Sequence, residues 1–495
     1  MNEPVRHRGL ISGFAMMGTL MQVLDSTIAN VALPYMQGSL NTTLDQISWV
    51  LTSYVIASAI MTAPVGWLAA RFGRKNLYLT CLVGFTITSM MCGAAQSLDQ
   101  MVVFRILQGA CGAALVPLSQ ATMLDIYPAE KRSQAMAMFG MGVMIGPILG
   151  PTLGGYLTDA YDWRWVFYVN LPFGIIATAG LAIFLPRAPR NAELRFDWTG
   201  FAVLALGVGS FQMMMDRGQS EDWFNSREII IELVIGGLGI YLFLVHMFTA
   251  EKPFIPPALF RDRYFATATL LMFVTNTVMM ASSALIAPYL QNLSGHSVSD
   301  TGILMAPRGL GTMAAMLVIA KLGGLFDQRK IMAAGLIILG ITLYEMSGWT
   351  PDVSGTEVMV IMVVQGVAMG WIWNPITVLS FTTLPAHLRG DATAVQSLCR
   401  NIGAAIGISV TAFTLARSIQ ASHAGLAADL TPFNHALRNH AHLIDPSTHH
   451  GAAILDQMVN RQALIIAYNN DFLMMSLVVV PSLLLLMLLR RRKPA

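Results

Sequence analysis

Three polar side chains set in otherwise apolar stretches could handle a proton. Asp25 lies in Leu24-Asp25-Ser26-Thr27-Ile28-Ala29-Asn30, and Arg105 and Gln108 lie in Arg105-Ile106-Leu107-Gln108-Gly109. Burial disfavours the charged form of a carboxylate. A carboxylate poised between its two forms can load a proton on one side of a barrier and release it on the other. A guanidinium stays charged even when buried, so Arg105 is the electrostatic partner expected for Asp25. Gln108, three residues on, shares a helix face with Arg105. A structural carboxylate capped by Ser26, Thr27 or a neighbouring helix would use the same residue types, with Arg105 as a hydrogen-bond hub. Charge in hydrocarbon costs several kcal/mol, which makes function the default hypothesis.

A second constellation is mechanical. Gly146-Pro147-Ile148-Leu149-Gly150-Pro151-Thr152-Leu153-Gly154-Gly155 sits inside an apolar run. Two prolines and four glycines in ten residues would break a soluble helix, but neighbouring helices in a membrane can shelter the freed backbone groups. Glycines four apart, at 146, 150 and 154, make a flat stripe for close helix packing. Tight packing is one reading, and a pliable helix at a moving interface is the other.

The elements that hold these residues are membrane helices. The chain has 495 residues, of which 55% are hydrophobic and 12% charged, with mean hydropathy +0.59. A soluble domain carries about 25% charged residues. A spanning helix needs about 20 apolar residues, and fourteen such segments are predicted, near 10–33, 47–70, 77–95, 101–125, 135–158, 164–186, 198–216, 228–249, 266–290, 301–320, 331–348, 357–379, 391–416 and 471–489. The first is too long for a removable leader and lacks a small-residue cleavage site. Basic residues cluster on alternate loops, from Arg6 and Arg8 through Arg71, Arg74 and Lys75 to the tail Arg490-Arg491-Arg492-Lys493. The positive-inside rule then predicts that both termini are cytoplasmic. The tail reads as a topology anchor, and no nucleic-acid partner is expected.

The sequence repeats. Leu107-Gln108-Gly109 returns as Val364-Gln365-Gly366, and Tyr127-Pro128-Ala129 as Leu384-Pro385-Ala386, each 257 positions on. Pro34-Tyr35-Met36-Gln37 returns as Pro288-Tyr289-Leu290-Gln291 after 254. A duplicated six-helix unit follows, with residues 1–190 as one bundle, 256–495 as the other, and 191–255 as an inserted helix pair. The repeat breaks at the charges, because Asp25 aligns with Met279 and Arg105 with Met362.

Gln22, Asn30, Asn276, Gln365 and Asn374 are the polar candidates for a central cavity, since polar groups in lipid need partners. Arg308, Glu345 and Arg400 also fall in or near helices of the second half. The methionines, including Met213–Met215 and Met279–Met280, suit varied ligands but also fill cores. Cys81, Cys92, Cys111 and Cys399 are expected as free thiols in helices. An outward loop is predicted over about 417–470, with His423, His435, His440, His442, His449 and His450 as solvated side chains and no metal site. Its Ala452–Tyr468 stretch has apolar residues at helical spacing and could dock a partner. No nucleophile–base set appears, so a secondary transporter is expected, not an enzyme.

Several motifs together resemble the EmrB-type fourteen-helix drug:proton antiporters of the major facilitator superfamily. They are Leu24 to Pro34, Arg105 to Gly109, Gly146 to Gly155, Trp163 to Gly174, and Asp216-Arg217-Gly218 followed by Asp222-Trp223-Phe224. The resemblance implies an all-α major facilitator fold in the bacterial inner membrane, two six-helix bundles plus two inserted helices. It implies proton-coupled efflux of amphipathic drugs, driven by the proton gradient with no cofactor. It also implies an EmrA-like periplasmic adaptor and a TolC-like outer-membrane channel, with membrane lipid as the surroundings. An endogenous lipid or siderophore exporter and a proton-coupled nutrient importer are the alternatives. The family's cytoplasmic gate motif falls on Gly66, Arg71, Gly73 and Arg74, but Ala70 stands where an aspartate is expected, and Asp327 holds the aligned position in the second half. That substitution puts the usual latch from the first half in doubt.

Overall fold

The computed structural model describes residues 7–128, 131–187, 191, 193–251, 253–322, 327–385, 388–428, 430 and 448–487, and among these there is no strand. In the first half the helices are α1 (Arg8–Ser39), α2 (Leu44–Thr62), α3 (Val65–Phe72), α4 (Arg74–Gly93), α5 (Leu98–Gly112), α6 (Leu115–Ile126), α7 (Arg132–Ala160), α8 (Trp165–Tyr168) and α9 (Asn170–Phe184). Next come α10 (Trp198–Arg217) and α11 (Arg227–Thr249). The rest are α12 (Ala258–Arg261), α13 (Arg263–Asn292), α14 (Val298–Leu322), α15 (Gln328–Met346), α16 (Gly355–Ser380), α17 (Arg389–Ala428) and α18 (His449–Met487). Among the described residues ten helices are long and apolar enough to cross a membrane, or eleven if the pair α2 and α3, bent by 58°, is one span. The predicted count of fourteen would add α1, α7 and α15.

Local chemistry sets the boundaries. Thr43 and Gln46 form a capping box at the start of α2, each side chain accepting from the other's backbone N–H. Pro64 stands at the α2–α3 bend. Gly73, at φ 87, makes the turn from α3 to α4 in a conformation that disfavours a side chain. The α5–α6 break leaves the Val116 amide free, and Gln22 Oε1 of α1 accepts it at 3.3 Å. Pro34 and Pro288, one repeat apart, both sit inside helices.

The halves pack mostly within themselves. α1 lies against α7 and α9, α2 against α5, and α4 against α5 and α9. Likewise α13 lies against α17 and α18, and α14 and α15 against α16. Midway along α17, Gly403 and Gly407 abut the α13 backbone at Phe273 and Thr277. The halves meet along two seams, α7 with α14 and α16, and α17 with α2, α3 and α6. The α10–α11 pair leans on α2 and α17, beside the second seam. One core cluster joins all three parts, with Val116 and Met136, Val208 and Phe254, and Leu384 and Val395.

The predicted loop 417–470 is shorter than expected. α17 runs on to Ala428 over 40 residues and α18 begins at His449. Polar residues lower the hydropathy of these helix ends, although the backbone stays helical. In Ala452–Tyr468, Ala463, Ala467 and Tyr468 are buried, while Met458 and Ile466 are exposed. His423 and Asp456 tie the two helices at 3.1 Å. His435, His440 and His442 lie outside the described residues.

Candidate functional site

The predicted trio comes together in the core of the first half. Asp25, Arg105 and Gln108 are all fully buried. Arg105 Nη1 donates to Asp25 Oδ2 at 2.6 Å and to Gln108 Oε1 at 2.8 Å. Gln108 Nε2 donates to Asp25 Oδ1 at 2.8 Å. Each member therefore touches the other two. Arg105 Nε donates to the Val50 carbonyl at 2.9 Å, and the guanidinium lies 4.1 Å from the centroid of the Tyr54 ring. A buried pair of this kind needs such extra bonds to offset the desolvation of both ions.

Asn170 completes the cluster, and the sequence reading had it only inside a longer motif. Its Nδ2 reaches Asp25 Oδ1 at 3.3 Å and Ser89 Oγ at 3.0 Å. Ser89 in turn donates to the Phe167 carbonyl. Asp25 thus accepts from three donors on α5 and α9 while sitting on α1. Protonating Asp25 would remove the charge that holds Arg105, so a single proton could loosen three helices at once.

The glycine stripe faces the same helix. A Cβ on Gly146 would lie 2.6 Å from Val23 Cγ1, one on Gly150 would strike the Thr27 side chain, and one on Gly154 would lie 2.8 Å from Ile28 Cγ1. Those positions flank Asp25 along α1. Gly155 meets nothing within 4 Å. The stripe therefore packs α7 onto α1 within one half. A different glycine of α7, Gly140, meets Met316 of the other half. The side chains of Pro147 and Pro151 lie outside the described residues.

Two of the predicted gate residues, Gly66 and Arg74, lie where the first half meets the start of α17. Gly66 lets α3 press onto α17, where an added Cβ would lie 2.6 Å from the Asp391 Cα. Arg74 pairs with Asp125, and Asp125 also accepts from Arg389 Nη1 of α17 at 2.9 Å. Asp125 is thus the acid that joins the halves where Ala70 cannot. Asp327 serves α15 as its N-cap, accepting from the Arg329 amide at 3.0 Å. Arg71 has no ion-pair partner among the described residues.

The cavity candidates separate. A cavity between the halves is lined by Gln120, Met272, Met316, Trp373, Asn374 and Arg400, among others. Asn374 also bonds Ser133 across the seam, with Nδ2 2.9 Å from its carbonyl. Asn276 donates to the Arg400 carbonyl at 2.8 Å. Gln365 is buried and reaches Ser282 at 3.3 Å. Gln22 serves Val116, and Asn30 is exposed, bonded to its own helix at Ser26.

Half-buried Asp391 and buried Asp471 are among the acids that were missed. Each stands at the first residue of a predicted segment, where a charge reads as interfacial. Arg217 at the end of α10 gathers Glu221, Glu228 and Glu232. All four cysteines are free thiols, and no group of His, Cys, Asp or Glu among the described residues could hold a metal.

The model of the Major Facilitator Superfamily matches residues 15–408. The chain belongs to that superfamily. Within it the chain is of the EmrB type, being 33% identical over 458 residues to the multidrug export protein EmrB of Haemophilus influenzae, with 92% of this chain and 90% of that one covered. It is 31% identical to the fatty acid resistance protein FarB of Neisseria gonorrhoeae over the same shares of each chain. The fold matches the human organic anion transporter MFSD10 with a TM-score of 0.64 at 14% identity, covering 97% of this chain and 100% of that one. It matches the proton:xylose symporter XylE with a TM-score of 0.61 at 13% identity, covering 97% of each. The protein is a multi-pass membrane transporter of the major facilitator fold, not an enzyme.

Proposed function

We propose that the protein is a proton-coupled exporter of hydrophobic or amphipathic toxic compounds in the bacterial inner membrane. The buried Asp25–Arg105–Gln108–Asn170 cluster is the observation that carries this reading. It holds a buried carboxylate on one helix and its three donors on two others. A proton on Asp25 would shift the balance between two packings of the halves, and the cavity around Asn374 and Arg400 would open to alternate sides. The names of the EmrB relatives support the choice of cargo. The name of the FarB relative favours a lipid-like compound as the second reading.

In this reading all fourteen helices span the bilayer, residues 1–190 and 256–495 form the rocking bundles, and 191–255 is the inserted pair. Both termini are cytoplasmic, and the protein works as the inner-membrane member of a three-part system with an EmrA-like adaptor and a TolC-like channel. The α17 and α18 ends, with exposed Met458 and Ile466, are the contact offered to the adaptor.

The test is drug-stimulated proton release from liposomes holding the purified protein. Asp25→Asn drops the signal to background, and Asp25→Glu recovers part of it. Normal release from Asp25→Asn would refute coupling at this site. Loss of cross-links from Met458→Cys to a co-expressed adaptor, with cell resistance unchanged, would remove the adaptor contact.

A further inference from the structure

We infer that the end of α10 ties the two halves together at the end of the molecule opposite Asp125, so that the inserted pair governs opening on that side. The inference rests on reading residues 1–190 and 256–495 as rocking bundles. The cavity between the halves has a volume of about 10 Å³, room for about one water. A drug-sized cargo enters it only after the halves part. At one end they are joined by Asp125 with Arg389 and by Gly66 against Asp391. Ser409 stands 18 residues beyond Asp391 on α17, about 27 Å along the helix. There the halves meet through α10.

Three consecutive residues of α10 divide between the halves. Met215 lies in the last turn, where carbonyls lack an intrahelical partner, and Ser409 Oγ of α17 donates to its carbonyl. The buried Thr52 hydroxyl of α2 donates to the Asp216 carboxylate. The Arg217 guanidinium carbon lies 5.7 Å from the centroid of the Trp49 ring of α2. Beyond Arg217 the chain turns back over the helix end. Asp222 and Trp223 have positive φ there, 57 and 50, a conformation that persists only where surrounding contacts hold it. The turn sets the Trp223 ring 5.5 Å from the Phe413 ring of α17. Gly218 leaves room for it, since an added Cβ would lie 2.8 Å from that ring. Two contacts therefore reach each half, and α10 is a link in series. For these ends to part, it must let go of one half.

The test is the distance between spin labels at Ser39 and Gln420, both exposed, in the whole protein in phosphatidylcholine nanodiscs. The labels are carried by p-acetylphenylalanine, which spares the native cysteines. Ser409→Ala and Thr52→Val each remove one donor. Each should raise the share of molecules with these ends apart about threefold, within the worth of one hydrogen bond. Because α10 can stay with either half, the two losses do not multiply, and the double variant should open less than about twice as often as either single. Ser409→Thr keeps the donor and should match the native distribution. Unchanged distances in both single variants, or a double effect equal to the product of the two, overturns the inference. A second label pair, on α3 and at the start of α17, reads the rocking itself. Two populations there, with the Ser39–Gln420 pair unresponsive, leave the rocking bundles standing without this tie. One population at both pairs in every variant ends both readings.

Discussion

The two halves share one helix crossing and charge it differently. In the first half Gly109 of α5 closes on the Tyr54 carbonyl of α2, and in the second Gly366 of α16 closes on the Arg308 carbonyl of α14. The pairs are repeat equivalents, 257 and 254 positions apart. Around the first crossing stand Arg105, over the Tyr54 ring, and Asp25. Around the second stand Met362, Met279 and Arg308, which donates to Ser283 at 2.6 Å and has no ion-pair partner among the described residues. The cation has moved from one helix of the crossing to the other, and the acid has gone. Backbone packing at the glycines therefore does not require the charges. The first half holds a neutralised ion pair, and among the described residues the second holds Arg308 with no ion-pair partner.

The sharpest way to break this comparison is to make the first half copy the second. Arg105→Met strands Asp25 in the core at a cost of about 3–5 kcal/mol, which should appear as a sharp loss of thermal stability in detergent. Adding Asp25→Met should restore stability while proton release stays at background. If the double variant still couples protons to drug, the charges are structural only.

Gly150→Leu tests whether the α1–α7 contact matters to motion at Asp25. Its side chain collides with Thr27 and should cost about 1–3 kcal/mol by overpacking. Transport in liposomes should fall further than the amount of inserted protein. Equal falls in both would reduce the stripe to packing.

A smaller effect is expected at Asp125, which is part-exposed. Asp125→Asn weakens its bonds to Arg74 and Arg389 by about 1 kcal/mol or less. Distances between spin labels on α3 and α17 should show a severalfold larger population with these ends apart. An unchanged distribution would mean that the Gly66 contact alone joins the halves there. His423→Ala removes an exposed contact to Asp456 and should change stability by no more than about 0.5 kcal/mol. A larger loss of melting temperature would show that the projecting ends are coupled to the core.

The trio Asp25, Arg105 and Gln108 was legible because ions stand out in apolar runs and the repeat shows where their counterparts are missing. Asn170 was hidden because a neutral amide near a helix start has many ordinary uses. Asp125 closes the predicted segment 101–125 and looked interfacial, since its role appears only where α4, α6 and α17 meet. Asp391 and Asp471 were masked by the same boundary effect. Hydropathy marks where apolar character ends, and α17 and α18 stay helical beyond that point.

The length of α17 has a mechanical consequence. At 1.5 Å per residue its 40 residues make a rod of about 60 Å, twice the hydrocarbon thickness of about 30 Å. Arg389 is gripped at one end, and Gly403 and Gly407 are pinched against α13 along its length. Were α17 to pivot at those glycines as a rigid rod, its arms would be about 24 Å towards Arg389 and about 35 Å towards Ala428. A displacement at the Arg389 end would then return at the far tip in the opposite direction, larger by roughly half. Loss of the Asp125 contact would be felt at the Ala428 end.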